Sequence, residues 1–265
     1  MKVKIKSSNH LLSAFIHQSQ KSNSNNLAII LPGFLESKDY PHLIKLGKDL
    51  AKRGFTAVRF DPTGVWDSEG DIKAYTVSQY LKDIEIVVGF MKKRNQRNYD
   101  KIIILGHSLG GMMAMLYGAK NKTIDAVVGI MPPPSQTSPK GFQETLKQWQ
   151  KDKKKVSYRV LPKHKDKEKK FTVPYSYIID SQKYDVRKLI AKFKKPLLLI
   201  AGELDDKIMS EEIKKIYTIA NEPKKFILLK GIDHDYRLDK KMTETVNACI
   251  LEFLKKEIPS FKGGI

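Results

Sequence analysis

The sequence has little cysteine and no long apolar segment. Its one cysteine, Cys249, excludes an internal disulfide framework and a cysteine-rich metal site. No run of about 18 apolar residues is present, so no membrane-spanning helix is predicted. The basic start MKVKIK is not followed by the unbroken apolar stretch that a secretory signal requires. We therefore expect a reducing, cytoplasmic location.

Acidic side chains are also scarce: 49 Lys and Arg residues against 29 Asp and Glu residues give a formal net charge of +20. Such a field can attract nucleic acid, anionic membranes or acidic substrates. Lysine greatly outnumbers arginine, whereas nucleic-acid sites favour arginine forks, and the one dense basic cluster lies at 151–170. We expect no nucleic-acid partner. The net charge has two remaining explanations: a weak association of the protein with anionic surfaces, or a lysine-rich surface without a binding role. The sequence does not predict an oligomeric state.

Strand-like and helix-like segments alternate along most of the chain. Short continuous apolar runs predict buried strands, and apolar residues at helical spacing predict helices between them. The predicted strands, after a hairpin formed by 2–6 and 11–18, are 27–31, 56–60, 101–105, 126–131, 196–201 and 225–230. The predicted helices are 41–53, 77–93, 109–120, 186–193, 210–221 and 240–256. This alternation predicts an α/β fold whose mostly parallel central sheet is flanked by helices.

Residues 132–180 interrupt this alternation. The segment begins with three prolines, is polar and basic, and contains one predicted helix at 141–151. Its run KHKDKEKK at 163–170 has no apolar residue to anchor it, so we expect it to be exposed and mobile. We predict a core formed by 1–131 and 181–265, with 132–180 as a lid above the carboxyl edge of the sheet.

The motif Gly106-His107-Ser108-Leu109-Gly110 has the form G-x-S-x-G and joins a predicted strand to a predicted helix. A serine in this context lies on a sharp turn with its hydroxyl exposed above the sheet, where it can act as a nucleophile. The helix start offers unpaired N–H groups where an oxyanion develops, and the N–H of Leu109 is the first predicted donor. A chance occurrence of the motif is the alternative, which the flanking strand and helix disfavour.

A serine nucleophile needs a general base and an orienting acid. When the serine lies on such a turn, the acid and then the histidine follow it along the chain. The residues Gly202-Glu203-Leu204-Asp205-Asp206 follow one predicted strand, and Gly231-Ile232-Asp233-His234 follow the next. Both stretches lie just past the carboxyl end of a strand, where sheets of this kind carry function. They are therefore the predicted sources of the acid and the base.

These stretches resemble the α/β-hydrolase superfamily over essentially the whole chain, through GHSLGG, AGELDDKI and GIDHDY. The resemblance favours Asp205 over Asp206, because the family's acid follows the pattern G-x-x-D-x-x-V/I. It also places the family's histidine at His234, which an aromatic residue follows closely. The resemblance thus implies a catalytic set of Ser108, Asp205 and His234.

The same resemblance implies the second oxyanion donor, the N–H of Phe34. This residue follows Pro32-Gly33, where the family usually has His-Gly. His107 is expected to be structural, and the four remaining histidines are expected to have surface or structural roles.

Residues 59–70, RFDPTGVWDSEG, resemble the RFD-x-x-G-x-G-x-S-x-G loop of small bacterial esterases. These include feruloyl and cinnamoyl esterases and monoacylglycerol-lipase-like enzymes, and Trp66 replaces the second glycine of their loop. Residues 173–206 are also similar to the stretch that leads into the acid in that branch. The resemblance implies that the lid shapes an acyl pocket. The candidate pocket residues are Trp66, Trp149, Tyr175 and Tyr177.

Taken together, these patterns predict a serine hydrolase that cleaves a small-molecule carboxylic ester through an acyl-enzyme, with no cofactor and no metal. A thioesterase, a lysophospholipase or an acyl-peptidase-like hydrolase would use the same three residues and stays an alternative. A binding protein with this fold and no catalysis is a second alternative, which the intact residue set disfavours. The motifs G-x-x-x-x-G-K-[ST] and H-E-x-x-H are missing, which disfavours phosphoryl transfer and zinc proteolysis.

Overall fold

The computed structural model describes residues 1–7, 9–95, 98–137 and 142–258. The strands are β1 (Lys2–Lys6), β2 (Leu11–His17), β3 (Asn26–Leu31), β4 (Phe55–Phe60), β5 (Lys101–His107), β6 (Ala126–Ile130), β7 (Lys154–Leu161), β8 (His164–Pro174), β9 (Leu197–Gly202) and β10 (Lys224–Leu229). The helices are α1 (Pro41–Lys52), α2 (Val77–Asn95), α3 (Leu109–Lys120), α4 (Phe142–Asp152), α5 (Ser176–Ser181), α6 (Ser210–Ile219) and α7 (Lys240–Glu257). Across the described ranges, none of the helices combines the length and the apolar character that crossing a membrane requires.

Eight of these strands form one sheet with the order β1-β2-β4-β3-β5-β6-β9-β10. The six strands from β4 to β10 run parallel to their neighbours, while β2 is antiparallel to both β1 and β4. Parallel neighbours cannot be joined by a tight turn, so helices make the crossovers. The α/β fold predicted from the alternation, with a mostly parallel central sheet, is therefore confirmed.

Both faces of the sheet are buried, because successive side chains of a strand point to opposite sides. Along β3, Leu27, Ile29 and Leu31 join one apolar cluster, while Ala28 and Ile30 join the other. Helices α2, α3 and α6 supply residues to the first cluster, and α1 and α7 supply residues to the second. This packing fixes the carboxyl ends of the parallel strands, so the loops that follow β3, β5, β9 and β10 lie along one edge.

The chain leaves the main sheet between β6 and β9. This stretch contains α4, the antiparallel hairpin β7–β8 and α5. It ends with two short 3₁₀ turns, Val186–Lys188 and Ile190–Lys192, in place of the single predicted helix at 186–193. The predicted helix at 141–151 corresponds to α4, and its predicted first residue, Gly141, lies outside the described residues.

The predicted exposure of 163–170 is confirmed for most of its described side chains, but the prediction that this run is mobile is wrong. Most of this run belongs to β8, whose backbone pairs with β7. Ladder hydrogen bonds come from the backbone, so a strand does not need apolar side chains to pair. Lys169 also anchors the hairpin: its Nζ donates to the carbonyl oxygen of Trp66 at 3.1 Å and lies 5.5 Å from the centroid of that ring. The basic run is therefore an ordered part of the hairpin.

Candidate active site

Ser108 lies at the turn between β5 and α3, with backbone angles φ 52° and ψ −121°. A positive φ is unfavourable for a residue with a side chain, and this strain is typical of a nucleophile turn. A β-carbon on Gly106 would lie 2.5 Å from the carbonyl carbon of Gly110, and one on Gly110 would collide with the carbonyl oxygen of Leu31. The close packing explains both glycines, and it leaves Ser108 partly exposed above a buried strand.

His234 bridges Ser108 and Asp205. Its Nε2 lies 3.1 Å from Ser108 Oγ, and its Nδ1 lies 2.8 Å from Asp205 Oδ2. The three residues follow β5, β9 and β10, so the parallel sheet brings together side chains from distant parts of the sequence. Both distances are within hydrogen-bond reach, as a nucleophile, a base and an orienting acid require.

The two carboxyl oxygens of Asp205 have different partners. Oδ1 accepts hydrogen bonds from the N–H groups of Lys207 and Ile208, at 2.9 and 2.8 Å, while Oδ2 faces His234. The side chain of Asp205 is fully buried, whereas the adjacent Asp206 is exposed. Asp205 is therefore the carboxylate that the structure places beside the imidazole.

The N–H groups of Phe34 and Leu109, the two predicted oxyanion donors, have no acceptor within the part of the chain that the structure describes. Phe34 lines the same cavity as the serine hydroxyl. Its loop is held in place because the N–H of Gly33 donates to Glu36 Oε2 at 2.8 Å. Both N–H groups are thus unpaired among the described residues, as the predicted oxyanion role requires.

Glu36 connects its own loop with the end of β5 and with the loop of His234, and no sequence pattern predicts this role. Its carboxylate accepts the hydrogen bond from Gly33, lies 3.2 Å from Nδ1 of His107 and lies 3.0 Å from Nε of Arg237. Gly33 precedes a predicted oxyanion donor, His107 precedes the serine, and Arg237 lies on the loop of the base. Because Glu36 is buried, its charge interactions are screened only weakly. Its two charged or titratable partners, His107 and Arg237, are far from it in the sequence, so no local signal marks the residue.

His107 is neutral near neutral pH, since burial lowers its pKa to about 4 despite the opposing effect of Glu36. Its ring centroid lies 4.8 Å from that of His234. A neutral ring in this position adds no positive charge beside the imidazole of His234.

Glu36, His42 and His107 form a buried group whose potential metal-ligand atoms all lie within 4.8 Å of one another. Two histidines and a carboxylate are chemically suitable metal ligands. The guanidinium of Arg237, however, already pairs with this carboxylate at 3.0 Å. The charge that would attract a metal ion is thus compensated, and the group fits an internal ion pair better than a metal centre.

Ser108 opens into a cavity of about 500 Å³. Trp149 and Tyr177, two of the predicted pocket residues, line it together with Phe34. The rings of Trp149 and Tyr177 are stacked with centroids 5.8 Å apart, and Phe34 meets Tyr177 edge-on at 5.1 Å. This aromatic wall suits the apolar part of a small organic ligand.

Trp66 and Tyr175 were also candidate pocket residues, but neither is among the described residues that line this cavity. Trp66 instead packs edge-on against Tyr40 and Phe171, with centroids 5.8 and 5.4 Å away, and Tyr175 packs against the core at the start of α5. The φ of Trp66 is 53°, in the left-handed region that glycine favours. The tryptophan therefore has a backbone conformation that a glycine at this position would adopt without strain.

Comparison with known proteins identifies the family of this chain. The sequence model of the alpha/beta hydrolase fold family matches residues 27–167, more than half of the chain. The chain belongs to this family. The solved structure of Est1E from Butyrivibrio proteoclasticus with bound ferulic acid has a TM-score of 0.77 and is 21% identical. The superposition of this α/β hydrolase on Est1E covers 97% of the present chain and 99% of Est1E, and it shows a shared fold.

Curated relatives of this α/β hydrolase are also distant in sequence. The mouse protein named palmitoyl-protein thioesterase ABHD10, mitochondrial, is 22% identical over 232 residues, which are 85% of this chain and 74% of the relative. The uncharacterized protein YfhR of Escherichia coli O157:H7 is 27% identical over 188 residues, which are 70% of this chain and 55% of the relative.

Proposed function

We propose that this α/β hydrolase cleaves a carboxylic ester of a small molecule through a covalent acyl-enzyme. The observation that carries the proposal is the hydrogen-bonded series of Asp205, His234 and Ser108, which ends at a serine hydroxyl inside a cavity. A base that is oriented by a buried carboxylate activates a serine hydroxyl for acyl transfer.

The proposed reaction has two stages. Ser108 Oγ attacks the ester carbonyl carbon while His234 Nε2 takes the hydroxyl proton, and the N–H groups of Phe34 and Leu109 stabilise the oxyanion. His234 then gives the proton to the departing alcohol oxygen, which leaves the acyl group on the serine. In the second stage His234 deprotonates a water molecule, which attacks the acyl-enzyme, releases the acid and restores the serine. Asp205 holds the imidazole in the required tautomer and stabilises its cation.

We further propose that 132–180 acts as a lid on a catalytic core formed by 1–131 and 181–265. Trp149 and Tyr177 come from this segment and line the cavity, which supports a role in substrate recognition. Hydrogen bonds that tie the segment to the core include Tyr40 Oη to the carbonyl of Val160 (3.0 Å) and Ser78 N–H to Asp180 Oδ2 (2.8 Å). The shape of the lid would then set which acyl or alcohol group fits.

A thioester is the second candidate substrate. It is favoured by the mouse relative, which is named a palmitoyl-protein thioesterase. The same three residues would act on it, since only the leaving atom changes from oxygen to sulfur.

A panel of butyryl compounds separates these possibilities: the p-nitrophenyl ester, the phenyl thioester and the p-nitroanilide. We expect the highest kcat/KM on the ester, and we expect Ser108→Ala to lower kcat by several orders of magnitude. The matched control is Ser22→Ala, which changes an exposed serine and should leave all rates unchanged. A preference for the thioester would support the second candidate. No turnover of any compound by the folded wild type would favour a binding protein.

A further inference from the structure

The side of β7 that faces the protein places two cationic side chains at the cavity. Three of its outward positions are apolar and exposed, namely Val156 (42%), Tyr158 (53%) and Val160 (38%), and the first outward position is the exposed Lys154. Its inward positions include Lys155, Ser157 and Arg159, and both cations line the cavity that contains Ser108. A strand with one covered face normally turns its apolar side toward the protein. Over residues 155–160 the apolar side chains instead point outward, so packing alone does not explain the two inward cations.

Lys155 is half-buried and has no counter-ion. Its Nζ lies 5.3 Å and 5.4 Å from the ring centroids of Phe142 and Trp149. Within the described ranges, no carboxylate oxygen lies within 4.0 Å of this ammonium group. Burial lowers the pKa of Lys155, and the guanidinium of Arg159 lowers it further. Aromatic faces offset only part of the cost of desolvating a cation.

Arg159 lies four residues further along the same face. Its Nη1 donates to the carbonyl oxygen of Tyr158 at 3.2 Å, and no carboxylate among the residues described lies within 4.0 Å of it. The planar guanidinium presents a fork of donors that matches a carboxylate or a phosphate. Positions four apart on a strand are about 13 Å apart, a span that two long side chains can close around one anion.

Most other charged groups that line the cavity are paired with one another. Lys207 and Arg237 contact Asp235 at 2.5 and 2.7 Å, and Arg237 also contacts Glu36 at 3.0 Å. Asp206 lines the cavity as well, but it is exposed to solvent. The two cations of β7 are therefore the ones in the described cavity that lack an acidic partner.

We propose that Lys155 and Arg159 bind an anionic group, a carboxylate or a phosphate, that the substrate carries. The inference rests on the proposed ester hydrolysis and names its substrate class, an ester whose acyl or alcohol part bears an anion. The aromatic wall of Phe34, Trp149 and Tyr177 holds the apolar part between that anion and the reacting carbonyl.

Two matched pairs of esters test the assignment at either end of the substrate. p-Nitrophenyl hexanoate and the p-nitrophenyl monoester of adipic acid differ by a carboxylate on the acyl side. Phenyl butyrate and 4-carboxyphenyl butyrate differ by a carboxylate on the alcohol side. The wild type should have the lower KM for the charged member of at least one pair, and this preference should weaken as salt screens the charges. Equal KM values within both pairs would overturn the proposal.

Single substitutions connect the preference to the two side chains. Lys155→Gln and Arg159→Gln should each raise KM for the preferred charged ester by about tenfold or more, because each removes a charged hydrogen bond. The KM for the neutral ester should rise much less, because that ester carries no anion for either side chain to bind. Lys154→Gln removes the same charge from the adjacent exposed position and is the matched control. Lys155→Arg keeps the charge and should keep the preference.

Binding to the Ser108→Ala enzyme separates recognition from hydrolysis. Calorimetric titration with benzoate and with phenyl phosphate distinguishes the two anions, and benzyl alcohol is the neutral control. The inference is supported if anion binding is lost when Lys155→Gln and Arg159→Gln are added to this enzyme but is kept when Lys154→Gln is added. Equal anion binding by all of these variants overturns the inference. Hydrolysis of neutral esters without anion binding refutes the inference alone. Anion binding without turnover of any ester refutes the proposed hydrolysis.

Discussion

Replacing Asp205 with asparagine should remove activity by changing the tautomer of His234. Asp205 Oδ1 accepts two backbone N–H groups, so the asparagine oxygen must stay on that side and its NH₂ group must face His234 Nδ1. Nδ1 then has to accept a hydrogen bond, and the ring proton moves to Nε2, which lies 3.1 Å from Ser108 Oγ. A protonated Nε2 cannot take the serine proton. The same defect in the Ser-His-Asp template lowers kcat by about 10⁴-fold, and we expect a similar loss here.

The matched control for this change is Asp206→Asn, which removes the same charge from the adjacent, exposed residue. The activity of both variants is measured as the initial rate on a neutral p-nitrophenyl ester, and melting temperatures show whether each variant is folded. Asp206→Asn should cost far less than Asp205→Asn. The reasoning would be refuted if the order of the losses were reversed, or if Asp205→Asn kept near-normal kcat.

Three further predictions concern the buried group around Glu36. Glu36→Gln should lower the free energy of unfolding in urea by about 1–3 kcal/mol, since it removes the charge that pairs with Arg237, and unchanged stability would contradict its role in joining the loops. Acidification from pH 6.5 toward pH 4 should destabilise the wild type more than His107→Gln: the pKa of His107 is about 4 when folded, below the ordinary 6.5, so the unfolded state binds the proton first. Urea unfolding at pH 7 and pH 5 measures this difference, and equal losses in the two proteins would show the reasoning is wrong. EDTA should leave ester hydrolysis unchanged because Arg237 already compensates the carboxylate, and activity that is lost in EDTA and restored by zinc would identify a metal site.

The parts of the structure that the sequence predicts well are specified by local patterns. The apolar run at 27–31 predicts a strand buried on both faces, and β3 is buried over all six of its residues. The spacing of Gly106 and Gly110 around Ser108 predicts a tight turn. The structure has this turn, and a β-carbon at either glycine would collide there with backbone atoms. The stretches that contain Asp205 and His234 directly follow strands, and parallel strands end at one edge of the sheet.

The features that sequence patterns miss depend on contacts between distant residues. The first seven residues of β8 include no apolar side chain, and their pairing with β7 determines that they form a strand. Glu36 holds its place partly through His107 at the end of β5 and Arg237 after β10, both distant from it in the sequence. Trp66 and Tyr175 have the same apolar character as Trp149 and Tyr177, so composition alone cannot tell which aromatic rings face the cavity.

Covalent labelling with a fluorophosphonate tests most directly the central claim, that Ser108 is an activated nucleophile. The intact mass of the wild type should increase by a single adduct, and peptide mapping should place that adduct on Ser108. The Ser108→Ala variant, shown to be folded by its melting temperature, should stay unlabelled. A folded wild type that takes no label, or an adduct on another residue, would contradict the account.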